Sequence, residues 1–247
     1  MYEFFRWLAI LTGLPAECIM FRRKTYYEDR RAQGRFVRGG ALIVSNHYSV
    51  MDYIMCVFLF PFRKLYVVMA EMIFKKGKFF HWAMRCFGGI RSDRDIKGMR
   101  FIDDSVKVLE RGKLVQIFPE AHITHDGKML EFKPSYIMIA LRADVPILPV
   151  VLDGNYGFLK QAHVLIGKKI YLSDYCASLN PTREEIVALN DRIKAKMEEL
   201  KVELDRRIAE EPATKRRMRR QERRARRKEA KEAKKQEKME TRKEVAK

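Results

Sequence analysis

The stretch Gly39-Gly40-Ala41-Leu42-Ile43-Val44-Ser45-Asn46-His47-Tyr48-Ser49-Val50-Met51-Asp52 decides the fold. Residues 41–44 form a short apolar run between a glycine pair and two polar residues, the pattern of a strand buried on both faces. Three more such runs follow at residues 65–69, 114–118 and 147–152. Helical patterns separate them at 53–60, 79–87, 96–109 and around 136–142. Buried strands alternating with helices predict an α/β domain whose mostly parallel central sheet is flanked by helices. A last helix is marked by the capping-box signature Thr182-x-x-Glu185 and by an apolar stripe from Ile186 to Ile208 at steps of three and four. Pro212 closes it.

Composition shifts at both ends of this domain. The chain has 247 residues, with 51 Lys+Arg against 32 Asp+Glu and a formal net charge of +19. Residues 215–247 hold 17 Lys/Arg and 6 Glu, a net of +11, leaving 34 basic and 26 acidic residues elsewhere, a net of +8. Met218, Met239 and Val245 are too few to bury a core, so this tail reads as a solvated helix or a disordered arm. Residues 1–21 are rich in aromatic and aliphatic side chains, split by Gly13-Leu14-Pro15 into two short pieces and followed by Arg22, Arg23 and Lys24. Aromatics beside cations suit an interfacial segment; a helix pair packed on the core is the other reading. The expected organisation is an interfacial helical segment over 1–38, ending in a charged loop from Lys24, an α/β domain over 39–211 and a basic tail over 212–247.

Several classes are set aside. An apolar content of 47% excludes a wholly disordered chain. No secretory signal is read, because Arg6 interrupts the first apolar run and no small-residue cleavage site follows. The longest uncharged stretch, residues 39–51, falls short of the ~18–20 residues that span a bilayer. Cys18, Cys56, Cys86 and Cys176 lack ligand spacing and read as reduced packing residues. His81 and His163 stand alone, so no metal site is expected. The charge surplus calls for an anionic partner, and with no interleaved aromatics in the tail an anionic membrane surface is favoured over nucleic acid. Residues 79–82 read as a membrane-facing or core helix, and 53–62 as an acyl-chain groove or a helix packed on the sheet.

His47 follows directly on the first buried strand, and open α/β sheets bind ligands at the carboxyl ends of their strands. A neutral imidazole takes a proton from a hydroxyl near neutral pH when a carboxylate holds its other nitrogen. On a continuous helix Asp52 would lie about 140° round from His47. A turn at His47 with the helix beginning near Ser49 brings them together. The bland alternative is a turn-capping His and a helix-capping Asp.

Asn46, His47, Ser49 and Asp52 complete the pattern NHxSxxD, an HX4D motif, and in this the chain resembles the glycerolipid acyltransferases that include the 1-acylglycerol-3-phosphate acyltransferases. Gly88-Gly89-Ile90-Arg91-Ser92-Asp93-Arg94 stands where that family has a Gly-led block ending in Asp-Arg. Phe118-Pro119-Glu120 opens a third block, trailed by Asp126-Gly127-Lys128 and Phe132-Lys133, and Val145-Pro146-Ile147-Leu148-Pro149-Val150 matches a fourth. Order and spacing agree over residues 40–155.

The resemblance implies transfer of a fatty acyl group from an acyl thioester (acyl-CoA or acyl-carrier protein) to the free hydroxyl of a lysophospholipid. The first acceptor to expect is 1-acylglycerol-3-phosphate, giving phosphatidic acid, with no cofactor beyond the thioester. It implies His47 as general base, Asp52 as the carboxylate fixing its tautomer, Asn46 and Ser49 as supports of the turn, and Arg94 and Glu120 as acceptor-binding residues. With the basic tail, it also implies peripheral or monotopic attachment to the cytoplasmic face of a membrane. The chain departs from the family at Ala121-His122-Ile123-Thr124, where the third block usually continues Gly-Thr-Arg. Ile123 cannot pair with a phosphate, and neutral His122 or His125 replaces a bidentate guanidinium poorly. A lysolipid without a terminal phosphate is therefore the alternative acceptor. The rival class is a non-catalytic protein that binds anionic membranes or nucleic acid.

Overall fold

In the computed structural model the four apolar runs form the middle of the sheet, as β2 (Ala41–Ser45), β3 (Leu65–Ala70), β5 (Leu114–Ile117) and β6 (Ile147–Leu152). The structure describes residues 2–34, 36–75, 77–92, 100–124, 127–158, 160–176 and 181–212. Three further strands complete the sheet: β1 (Lys24–Tyr27), β4 (Gly89–Ser92) and β7 (His163–Ile166). Their order is β1-β7-β6-β2-β5-β3-β4, with β6 and β7 antiparallel and every other pairing parallel. β2 thus lies between β6 and β5, which is why Ala41, Leu42, Ile43 and Val44 are all fully buried.

Helices cover both faces. Ala41 and Ile43 join one core cluster with Met55, Cys56 and Leu59 of α2 (Met51–Leu59) and with Phe21, the last residue of α1 (Tyr2–Phe21). Successive strand residues point to opposite faces, so Leu42 and Val44 line the other side, where α6 (Ser135–Arg142) meets β2 and packs on α5 (Arg100–Glu110). Residues 53–62 largely enter the core rather than an open groove: Met55, Cys56, Phe58, Leu59 and Phe60 are buried and Phe62 is exposed. Between β3 and β4 lie α3 (Glu71–Phe74) and α4 (Lys78–Cys86). A 3-10 turn (Leu172–Asp174) leads to α7 (Arg183–Glu210). The capping box before α7 is formed in both directions: Thr182 N–H donates to Glu185 Oε2 at 2.7 Å and Glu185 N–H to Thr182 Oγ1 at 3.2 Å.

Three local expectations need correction. Gly13-Leu14-Pro15 does not divide the N-terminal segment; α1 runs through it as one helix. Pro15 forgoes one helical N–H bond. Gly13 is there for close approach, since a Cβ would stand 2.8 Å from the Phe58 ring. The charged stretch after Lys24 is not all loop, because Lys24–Tyr27 forms the edge strand β1 against β7. Its half-buried Thr and Tyr residues suit a pleated edge without an apolar run to announce it. His163 is not alone either; its Nδ1 lies 2.6 Å from Asp153 Oδ2.

The chain divides into two compact units, residues 1–204 and 205–247. Within the second, Arg206 and Glu210 pair at 2.6 Å one helical turn apart. The tail beyond Pro212 lies outside the described residues.

Gly40 fixes how closely β2 approaches its neighbours: a Cβ there would meet the Leu109 carbonyl oxygen at 2.5 Å. Backbone must then move, and overpacking of this kind typically costs about 1–3 kcal/mol. Gly40→Ala is expected to lower stability by that amount in urea unfolding, whereas Gly112→Ala, with open space at the Cβ but a positive φ, loses only the backbone strain.

Candidate active site

The site begins where β2 leaves the sheet. Ser45 pairs with Val150 of β6 in the strand register. The Asn46 side chain then continues the ladder in place of backbone: Nδ2–H donates to Leu152 O at 2.9 Å, and Leu152 N–H donates to Oδ1 at 2.8 Å. A carboxamide carries the donor and acceptor of a peptide group, so the main chain can turn away at His47 without orphaning Leu152. Asn46 is fully buried, as this role requires.

The turn brings His47 and Asp52 together. Nδ1 of His47 lies 3.0 Å from Asp52 Oδ2, and the same oxygen accepts the backbone N–H groups of Tyr48 at 2.7 Å and Ser49 at 2.8 Å. Asp52 is the second residue of α2, so the positive end of the helix dipole adds to these donors. The helix starts at Met51, two residues later than Ser49, and Ser49 Oγ accepts the Met51 N–H at 3.2 Å. Five-residue spacing works here because residues 47–50 fold back over the helix end. An ionised carboxylate only accepts, so Nδ1 carries the ring proton and Nε2 keeps its lone pair. Among the described residues Nε2 has no protein partner, and the side chain is 18% exposed. The imidazole lies on the Phe118 ring, with centroids 4.1 Å apart and planes 23° from parallel.

The third block closes over the same turn. Glu120 is buried, and its two oxygens accept the N–H of His47 at 3.0 Å and of Leu130 at 2.8 Å. Burial pushes its carboxyl above the ordinary value, against the lowering pull of those two amides. Thr124 N–H donates to the His47 carbonyl at 2.9 Å. Ala121, in the place of the family's glycine, has φ +56°, a conformation glycine takes without steric cost. Ile123 is 38% exposed. Arg94 lies outside the described residues, while Arg91 at the carboxyl end of β4 donates to Glu71 at 2.7 Å.

Nucleophilic alternatives are poor. Cys56 is fully buried, burial pushes its thiol strongly up, and Gln116 Nε2 approaches the sulfur at 3.2 Å. Ser49 Oγ serves the helix start. Among the described residues, neither Cys56 nor Ser49 is placed as a nucleophile beside the open Nε2 of His47.

The description "Acyltransferase" is that of the family model matched by residues 17–153, more than half the chain. The chain belongs to this acyltransferase family. It is 26% identical over 174 residues to a 1-acyl-sn-glycerol-3-phosphate acyltransferase of Borreliella burgdorferi, covering 67% of this chain and 69% of that one. It is 29% identical over 121 residues to the enzyme of that name from Limnanthes douglasii, covering 47% of this chain and 42% of the relative. The match therefore spans less than half of the plant protein. A crystal structure of the 1-acyl-sn-glycerophosphate (LPA) acyltransferase PlsC from Thermotoga maritima shares the fold, with a TM-score of 0.58, 21% identity and 81% of each chain covered.

Sequence reasoning missed three contributors to this site. Tyr156 donates its hydroxyl to Asp52 Oδ1 at 2.5 Å, Thr124 holds the His47 carbonyl, and the Tyr48 hydroxyl reaches the Gly127 carbonyl at 2.9 Å. The last two lie in or beside the quoted blocks; Tyr156 lies beyond the matched residues and had no signal.

Glu120→Gln keeps one acceptor but turns an amide N–H toward a backbone N–H, leaving a buried donor unpaired. Such a group costs about 1–3 kcal/mol. The variant is expected to lose that much stability in denaturant unfolding, and a crystal structure should show residues 47–50 displaced.

Proposed function

We propose that the protein transfers a fatty acyl group from an acyl thioester to the free hydroxyl of a lysophospholipid. The observation that carries this reading is the His47–Asp52 pair, Nδ1 held at 3.0 Å and Nε2 open, at the carboxyl end of the central parallel strand. His47 Nε2 takes the acceptor's hydroxyl proton as that oxygen attacks the thioester carbonyl. The tetrahedral intermediate collapses, the C–S bond breaks, and the imidazolium returns the proton to the departing thiolate. Asp52 holds the neutral tautomer before the transfer and stabilises the imidazolium during it. The acceptor oxygen is itself the nucleophile, which suits a site where, among the described residues, Cys56 is buried and the Ser49 hydroxyl serves the helix start. The acceptor is 1-acylglycerol-3-phosphate, the substrate class in the names of the relatives, with Arg94 as a partner of its phosphate. The donor is acyl-CoA or acyl-carrier protein.

His47→Ala and Asp52→Asn test the chemistry. General-base catalysis supplies roughly 10²–10⁴-fold, so each variant should lose at least about 10²-fold in turnover of labelled acyl thioester with lysophosphatidic acid. His47→Ala should keep the wild-type circular dichroism with only a modestly lower unfolding temperature, because the buried Asp52 loses one donor but keeps those of Tyr48, Ser49 and Tyr156. Near-wild-type turnover in either variant would refute the mechanism. Transfer only to lysolipids without a terminal phosphate would keep the chemistry and overturn the acceptor.

The acceptor and product are lipids, so the site must work at a membrane surface. No helix among the described residues is long and apolar enough to cross one. The proposed attachment is peripheral or monotopic, at the anionic cytoplasmic face, through α1 and the basic tail. Supporting it are the exposed Phe4, Trp7, Leu8 and Leu11 of α1 and the net +11 of residues 215–247. Each Lys or Arg near an anionic surface contributes on the order of 1 kcal/mol, screened by salt. Truncation after Thr214 should weaken co-sedimentation with anionic vesicles at low salt, and much less at high salt. Activity on detergent-dispersed acceptor should barely change. Tail-dependent binding to RNA or DNA that exceeds vesicle binding at physiological salt would favour the nucleic-acid reading instead.

A further inference from the structure

The Asp52 carboxylate is fully buried, and its two oxygens are used differently. Oδ2 takes the Tyr48 and Ser49 amides and faces the His47 ring. Oδ1 has one donor among the described residues, the Tyr156 hydroxyl at 2.5 Å. We propose that Tyr156 is a positioning residue for the His47–Asp52 pair, whose phenolic O–H fixes the rotation of the Asp52 carboxylate and supports its negative charge as the imidazolium forms. This rests on the acyl-transfer reading above and extends it to a residue outside the acyltransferase family match.

The surroundings of Tyr156 are built for a fixed donor. Its ring stands edge-on to Phe21, centroids 5.4 Å apart at 75°, so α1 backs the phenol. Its loop starts at Leu152, whose backbone Asn46 clamps, and is organised by Asp153. Asp153 Oδ1 accepts the Asn155 N–H at 3.0 Å, and Oδ2 pairs with His163 Nδ1 at 2.6 Å. The Asn155 side chain closes the far side on the Gln161 carbonyl at 3.0 Å. Gly154 lets the loop touch the turn of the site: a Cβ there would stand 2.9 Å from the Tyr48 side chain. A second His–Asp pair among the described residues, which the proposed chemistry does not use, therefore serves to place Tyr156.

The donor is also chemically fixed. Burial, then the charge of Asp52, pushes the Tyr156 hydroxyl far above its ordinary value, so it stays protonated and can only give its hydrogen to the carboxylate. Cys56, Glu120 and Asp153 are the other ionisable groups that bear on these residues. None of them donates to Oδ1. When His47 becomes cationic, an Asp52 free to rotate would lose its alignment with Nδ1, which is the loss of preorganisation that slows proton transfer.

The test uses the full chain and two readouts. Tyr156→Phe keeps the ring against Phe21 and removes only the hydroxyl. A hydrogen bond to a charged group is worth enough that kcat should fall about 10- to 100-fold, while acceptor KM stays within about threefold. Independently of any activity, the downfield proton signal of His47 Nδ1–H, assigned by its loss in His47→Gln, should be present in the wild type. In Tyr156→Phe it should broaden through faster exchange with water. Incorporating 3-fluorotyrosine at 156, which retains the donor, should restore both. An unchanged kcat and an unchanged Nδ1–H signal in Tyr156→Phe would overturn the proposal. So would a loss that 3-fluorotyrosine does not rescue, which would mark Tyr156 as packing for α1. If the wild type transfers no acyl group to any lysolipid, the functional reading fails, and the Nδ1–H signal still decides whether Tyr156 positions the pair.

Discussion

A buried carboxylate needs its charge met from every side, and Asp52 is the point around which this molecule is arranged. It sits beneath the protein surface with two backbone amides, a phenol and an imidazole as donors. Removing an anion from water without such partners is prohibitive, so the donors are a condition of folding as much as of chemistry. They come from two places, the turn after β2 and the loop after β6, while the carboxylate itself stands at the start of α2. The turn and the loop after β6 are tied together by Asn46, which repeats a peptide's hydrogen bonds with Leu152.

The same constraint gives the imidazole its direction. With Nδ1 committed to Asp52, the nitrogen left open is Nε2, and the ring plane is set by Phe118 beneath it. Glu120 and Thr124 hold the main chain of His47 at its N–H and its carbonyl, so the backbone carrying the imidazole is gripped at both polar groups. Placed this way, Glu120 holds the His47 backbone with one oxygen and the Leu130 amide with the other.

How much of this could be read from the chain depends on range. The four central strands were legible because a strand buried on both faces reads as a nearly continuous apolar run, as 41–44, 65–69 and 147–152 do, and as 114–118 does apart from the buried Gln116, which donates to Ser45. The α7 capping box was legible because both partners lie within one turn. Edge strands were not: Lys24–Tyr27 and Gly89–Ser92 bury little, so nothing in their patterning separates them from loops. Gly13 misled, because a glycine admitting the Phe58 ring looks the same in sequence as a glycine ending a helix. His47 and Asp52 could be paired from their spacing and the family's motif, whereas Tyr156 is joined to Asp52 across 104 residues. Only the β2–β6 pairing brings that loop over the turn, and topology of that kind leaves no local mark.

The departures from the family pattern fall in a part of the site separate from this network. Ala121, His122 and Ile123 stand where the family's third block usually continues Gly-Thr-Arg, yet the backbone they carry still delivers Thr124 to the His47 carbonyl and keeps Glu120 in place. Ala121 even retains the left-handed backbone for which a glycine is the easier choice. The loop has thus kept its main-chain task while changing what it shows to a ligand. In the proposed reaction the base and its carboxylate act on a hydroxyl and a thioester, groups that every lysolipid and every acyl donor share, so they are indifferent to the acceptor's headgroup. In that reaction, choice of headgroup would fall to groups around the carboxyl ends of the strands, where Arg91 is paired to Glu71 and Ile123 stands exposed. The proposed reaction would then place reaction type and substrate choice on different side chains of one backbone, so that the second could change while the first stayed fixed.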